Sequence, residues 1–247
     1  MEAGNYKDAL SLLEKSLKMN IEVLGGDHLS NANIFTIVSQ VYTKQKDFEN
    51  AIVQLKNVIA IFEQHSQDPT LQAEHLGNTY LEMAKVYTKA KEFDLAIEFQ
   101  SKAVDTLGNL EKYADTDFMA ETIMTLSELQ DKSGQTEDAL YSLRMVERIY
   151  KNNYSEVDAK TCKVKRNISL LYLKQDQNDE ALNELKQVEE LERTLFGEAS
   201  TQLGKTFKVI GTIHLLNKNH SEAKEYLQKA QQIFEQKGLL KLLKEVK

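Results

Sequence analysis

The stretch SQVYTKQKDFENAIVQL, residues 39–55, decides the fold. It sets a small residue, Ser39, twelve positions before Ala51, with Tyr42 nine before, Phe48 three before and Leu55 four after. The same pattern returns along the chain. Anchor alanines stand at Ala9, Ala51, Ala96, Ala139, Ala181 and Ala223, at separations of 42, 45, 43, 42 and 42. The small position is filled by Ser39, Ala84, Ser127, Ser169 and Gly211, and the position nine before by Tyr42, Tyr87, Gln130, Tyr172 and His214. Four after the anchor come Leu13, Leu55, Gln100, Leu143, Leu185 and Leu227. A fixed period of this length signals one helical-hairpin unit stacked on copies of itself. Small residues let two antiparallel helices approach, and bulky ones fill the space between them.

That order of small, aromatic, aromatic, alanine and leucine resembles the tetratricopeptide repeat (TPR), whose usual period is about 34 residues. The surplus of roughly eight residues lengthens the helices or their links. Glu22-Val23-Leu24-Gly25-Gly26-Asp27-His28 resembles the connection between kinesin light chain-type repeats, which share the long period, and Leu195-Phe196-Gly197-Glu198 is a degraded copy. Leu29 stands where that type has a proline. The resemblance implies an all-α, right-handed superhelical solenoid of about eleven helices. Residues 1–247 are read as one solenoid: an incomplete first repeat at 1–27, repeats near 28–69, 70–114, 115–155, 156–198 and 199–237, and a capping segment at 238–247. In that segment Leu239, Leu240, Leu242, Leu243 and Val246 share a helix side. With Met1 only eight residues before Ala9, the first anchor helix is expected to lack its hairpin partner. One flank of Leu10, Leu13 and Leu17 is then uncovered, and end-to-end self-association through residues 6–23 is expected.

Composition agrees with a helical protein: one proline and ten glycines in 247 residues. A formal charge of −7 argues against nucleic acid as the partner, which wants a basic footprint. No apolar run is long enough for a membrane span. The single cysteine, Cys162, allows no disulfide within the chain and fits a reducing, cytoplasmic setting. The repeat type points further, to a cytoskeletal or ciliary assembly.

Chemistry is sparse. The five histidines show no metal-ligand spacing, and no phosphate loop or nucleophile turn occurs. No catalysis, cofactor or metal is expected. His214 and His220 occupy aromatic slots of the repeat and read as structural. Cys162 has Lys160, Lys163 and Lys165 nearby, which could lower its pKa, although an ordinary thiol is the plainer reading.

By the resemblance, the first helix of each hairpin lines a concave groove through positions 18, 15, 11, 8 and 7 residues before the anchor. The fifth repeat places Lys163, Arg166, Leu170, Leu173 and Lys174 there; the sixth places Lys205, Lys208 and Leu215, and the third Asn78 and Lys85. Residues 159–175 hold five basic side chains and no acid. This combination suits an acidic, partly apolar segment of another protein. The expected function is a non-catalytic protein–protein interaction scaffold. Two alternatives stand beside it: an architectural subunit of a large complex using its convex face and edges, and a regulatory segment of a larger enzyme or sensor.

Overall fold

The computed structural model describes residues 3–64, 68–154 and 157–244. They form twelve α-helices, with no strand among the described residues. Residues Met1–Gly134 and Gln135–Lys247 make two compact units. The first holds α1 (Ala3–Leu24), α2 (Leu29–Gln45), α3 (Phe48–Gln64), α4 (Pro69–Ala90), α5 (Phe93–Gly108) and α6 (Asp117–Lys132). The second holds α7 (Thr136–Asn153), α8 (Ala159–Lys174), α9 (Asn178–Phe196), α10 (Thr201–Leu216), α11 (His220–Gln236) and α12 (Leu240–Lys244). His65 and Val246 lie outside the described residues.

Within each unit, helices adjacent in sequence pack as neighbours: α2 with α3 and α4 with α5 in the first, α8 with α9 and α10 with α11 in the second. The anchor alanines explain how. Ala51, Ala96, Ala139, Ala181 and Ala223 are wholly buried, whereas Ala9 is half-buried. In the first unit Ala51, Leu55, Met83, Val86, Tyr87 and Ala96 share a core with Leu129 of α6. In the second, Ala181, Leu182 and Leu185 pack on Ile210 and Ile213. Gly211 shows why the slot twelve before the anchor stays small. A Cβ there would stand 2.8 Å from the Leu227 side chain and 3.2 Å from the Ala223 carbonyl. Gln100, in a leucine slot, is buried because its side-chain amide donates to the Thr122 carbonyl at 2.9 Å, tying α5 to α6.

Local chemistry sets the helix ends. Asp68 caps α4 by accepting from the Thr70 and Leu71 amides, and Pro69 opens the helix where no amide is needed. Asp158, Thr116 and Ser200 cap α8, α6 and α10 in the same way. The turn residue five before each buried anchor is left-handed every time: Lys46 (φ 65°), Lys91 (65°), Gly134 (82°), Asp176 (58°) and Lys218 (60°). The link after Gly108 is tethered. Lys112 pairs with Glu74 of α4, and the Tyr113 hydroxyl donates to the same carboxylate at 2.5 Å. At the far end Leu239, Leu242 and Leu243 pack against the Leu203–Phe234 core, so α12 covers the last hairpin of its unit.

Candidate binding surface

In the second unit, α8 and α10 are first helices of successive hairpins, and one side chain joins them directly. Arg166 of α8 donates to Thr206 Oγ1 of α10 at 3.1 Å and pairs with Glu192 of α9. Around this bridge the structure exposes Lys163, Leu170 and Lys174 on α8, and Lys205 and Leu215 on α10. Leu170 and Leu215 are each almost half exposed, at 45% and 46%. Leu173 and Lys208 are half-buried, Leu173 against the Ala181 core. The exposed face therefore carries Lys163 and Lys205 toward the helix starts and Leu170 and Leu215 toward their ends, with Lys174 as the last residue of α8.

Arg166, on the same helix, already has an acid within its unit. Its carboxylate partner is Glu192, buried at 1% exposure, which also accepts from Thr206 Oγ1 at 2.7 Å. Lys165 is likewise internal. Its ammonium lies 2.7 Å from Glu147 of α7 and 3.1 Å from Glu184 of α9, and all three residues are buried. Arg144 closes the cluster, at 2.8 Å from Glu147 and 2.6 Å from Glu184, and also reaches the Tyr172 hydroxyl. Lys160 donates to Tyr154 at 2.7 Å. The five basic residues of 159–175 thus overstate the charge offered to a partner, because acids on α7 and α9 neutralise two of them.

In the first unit, Asn78 and Lys85 lie exposed on α4. Lys85 pairs with Glu82 at 2.7 Å. A cleft of about 680 Å³, not foreseen from the sequence, lies in this unit, with Leu24, Asp27, His28, Phe62, Asp68 and His75 among its walls. His75 stacks on Phe62 with centroids 4.3 Å apart. His214 is buried against Tyr226, as an aromatic slot requires, while His220 is exposed at the start of α11.

Two titrating groups stand out. Burial, reinforced by Glu192, pushes the Cys162 thiol up to about 11, so the nearby lysines do not activate it. For Glu147, burial pulls the pKa up. Hydrogen bonds from Lys165, Arg144 and Lys151 outweigh it and bring the carboxyl down to about 2, against an ordinary 4.5. A depressed carboxylate stabilises the fold above its unfolded pKa and loses that contribution as pH falls through the folded one. Urea midpoints should therefore decline between pH 4.5 and 2. In Glu147→Gln, less stable at neutral pH, the decline across this window should be smaller. Among the described residues no group of three His, Cys, Asp or Glu side chains could hold a metal, and no helix is long and apolar enough to cross a membrane.

Stacked antiparallel hairpins with a side-chain-lined face on their first helices define a helical-repeat protein. The tetratricopeptide repeat family profile matches residues 1–64 and 160–236, and the chain belongs to that family. Solved structures agree on the fold. BtubC (BKLC) from P. vanneervenii superposes with a TM-score of 0.63 at 16% identity, covering 94% of this chain and 91% of that one. A Podosopora anserina protein of the kinesin light chain kind, with nearly identical TPR-like repeats, gives 0.64 at 16% identity over 83% and 96%. YrrB, a TPR protein with an unusual peptide-binding site, gives 0.55 at 16% over 88% and 91%. No curated protein sequence matches the chain.

Proposed function

We propose that this protein is a non-catalytic scaffold that captures an acidic, partly apolar segment of another protein on the exposed face of α8 and α10. The observation that carries the reading is the pairing of exposed Lys163 and Lys205 with half-exposed Leu170 and Leu215, on two helices bridged by Arg166. The lysines steer acidic residues to the surface, and the leucines supply apolar contact. Lys174, Lys208 and Leu173 complete the surface. Arg166 holds its shape through Glu192, and Asn78 and Lys85 form a separate, weaker patch on the first unit. A single solenoid of long repeats, near 42 residues each, is part of this reading. A cytoskeletal or ciliary setting is its cellular side, supported by likeness to the kinesin light chain kind.

The test uses a fluorescent peptide of alternating glutamate and leucine, with a glutamine-for-glutamate control. Exposed ion pairs are each worth about 0–1 kcal/mol, so Lys163→Glu with Lys205→Glu should weaken binding by roughly tenfold or more. The loss should shrink at high salt. Lys186→Glu, exposed on α9, should leave binding unchanged. If Lys186→Glu releases the peptide and the double reversal does not, the α8–α10 surface is not the site.

A further inference from the structure

On α3 the stripe running from the anchor alanine is sealed: Ala51, Leu55, Val58 and Ile61 are all buried. The matching positions on α1, 42 residues earlier, are Ala9, Leu13, Ser16 and Met19, and none is buried. The apolar side chains that α1 turns outward most are Leu12, Met19 and Val23, at 67%, 66% and 79% exposure, ahead of Ile21 and Leu24. Together with Ala9 and Ser16 they recur at alternating steps of three and four. Over two heptads, with Ser16 as its polar position, that is the spacing of a coiled-coil seam, narrower and more regular than a globular core demands.

The charges beside the seam select an occupant. Lys15 and Glu22 each sit immediately before a seam residue, on the same flank, and both are exposed. In a parallel pair, that flank would face the opposite flank of the next heptad. Lys15 would meet Asn20, and the position opposite Glu22 would fall beyond Leu24, where α1 ends, so neither charge gains a partner of opposite sign. In an antiparallel pair of identical helices the same flanks face each other. Lys15 then meets Glu22 of the other copy, twice by symmetry, while Leu12 faces Val23 and Ser16 faces Met19. The contact of Glu22 with Lys18 on its own helix is long, at 4.0 Å, and leaves the carboxylate exposed.

We propose that α1 is a self-recognition helix, and that two copies of this chain pair through antiparallel α1 helices about a two-fold axis. Such an interface is self-complementary and closes at two copies, so it does not propagate into filaments. It lies in the first unit and is independent of the α8–α10 surface.

Sedimentation equilibrium of the chain should give the mass of two copies. Met19→Glu should return it to one copy with unchanged helicity. Lys15→Glu and Glu22→Lys each convert both symmetric pairs to like-charge contacts and should each weaken self-association several-fold. Mixing these two variants restores opposite charge at every pair, so the mixture should form mixed dimers in preference to either like pair. A chain that stays monomeric at hundreds of micromolar overturns the proposal. So does a dimer that survives Met19→Glu, or a failure of the two charge variants to cross-pair.

Discussion

Arginine in place of Ala181 is expected to destabilise the second unit severely. Ala181 is wholly buried among Leu182, Leu185, Ile210 and Ile213, where α9 meets α10. A longer side chain there overpacks the core, at about 1–3 kcal/mol. The guanidinium would also be buried without a partner, adding several kcal/mol more. A total near 4 kcal/mol or above is a large share of the roughly 5–15 kcal/mol that holds an ordinary domain folded. The melting temperature should fall by about 10 °C or more. Lys186→Glu, exposed on the same helix, should stay within about 0.5 kcal/mol of the parent. Hydrogen exchange should locate the loss in α8–α10, since repeats feel mainly their neighbours. An unchanged melting temperature would mean that Ala181 is not the packing point between these helices.

The next largest effect is expected from Lys165→Met. Removing that ammonium leaves Glu147 and Glu184 buried, with Arg144 as the remaining cation that touches both. Breaking a buried ion pair from one side costs about 3–5 kcal/mol. Because Arg144 stays, the lower end of that range is expected, read as a shift in urea-unfolding free energy. Replacing all three charges at once, as Glu147→Leu, Lys165→Met and Glu184→Leu, should recover most of the loss or exceed the parent. Arg144, 39% exposed in its side chain, can then turn its guanidinium to water. If Lys165→Met alone unfolds like the parent, the buried ions make no net contribution.

The hairpins were legible because a small set of slots repeats, and five of six anchor alanines are sealed where the pattern puts them. The buried charges Lys165 and Glu192 are legible by the same device. Sixteen before the anchor stand Phe35, Tyr80, Ile123, Lys165 and Phe207; eleven after stand Phe62, Leu107, Tyr150, Glu192 and Phe234. A lysine and a glutamate in otherwise apolar slots of one repeat mark buried charge. Counting bases along α8 alone could not show this, because their acids lie on α7 and α9. Arg166, which its slot places in the groove, is held in the same way by Glu192. The tether of residues 109–116 to α4 was hidden for a similar reason: Lys112 and Glu74 are 38 residues apart and outside any repeated slot.

The left-handed turns carry a consequence for how this chain can be tuned. Residues other than glycine occupy that conformation at a cost of roughly 1–2 kcal/mol each, and here lysine does so three times and aspartate once. Only the turn at Gly134, among these five, has the residue that adopts it freely. The Asp176 and Lys218 amides donate to the Leu173 and Leu215 carbonyls of the α8–α10 surface, whereas Lys46 and Lys91 belong to the turns of the first unit. A lineage or a designer could therefore raise or lower thermal tolerance in small steps at Lys46 and Lys91, leaving recognition on α8 and α10 to drift or be selected on its own.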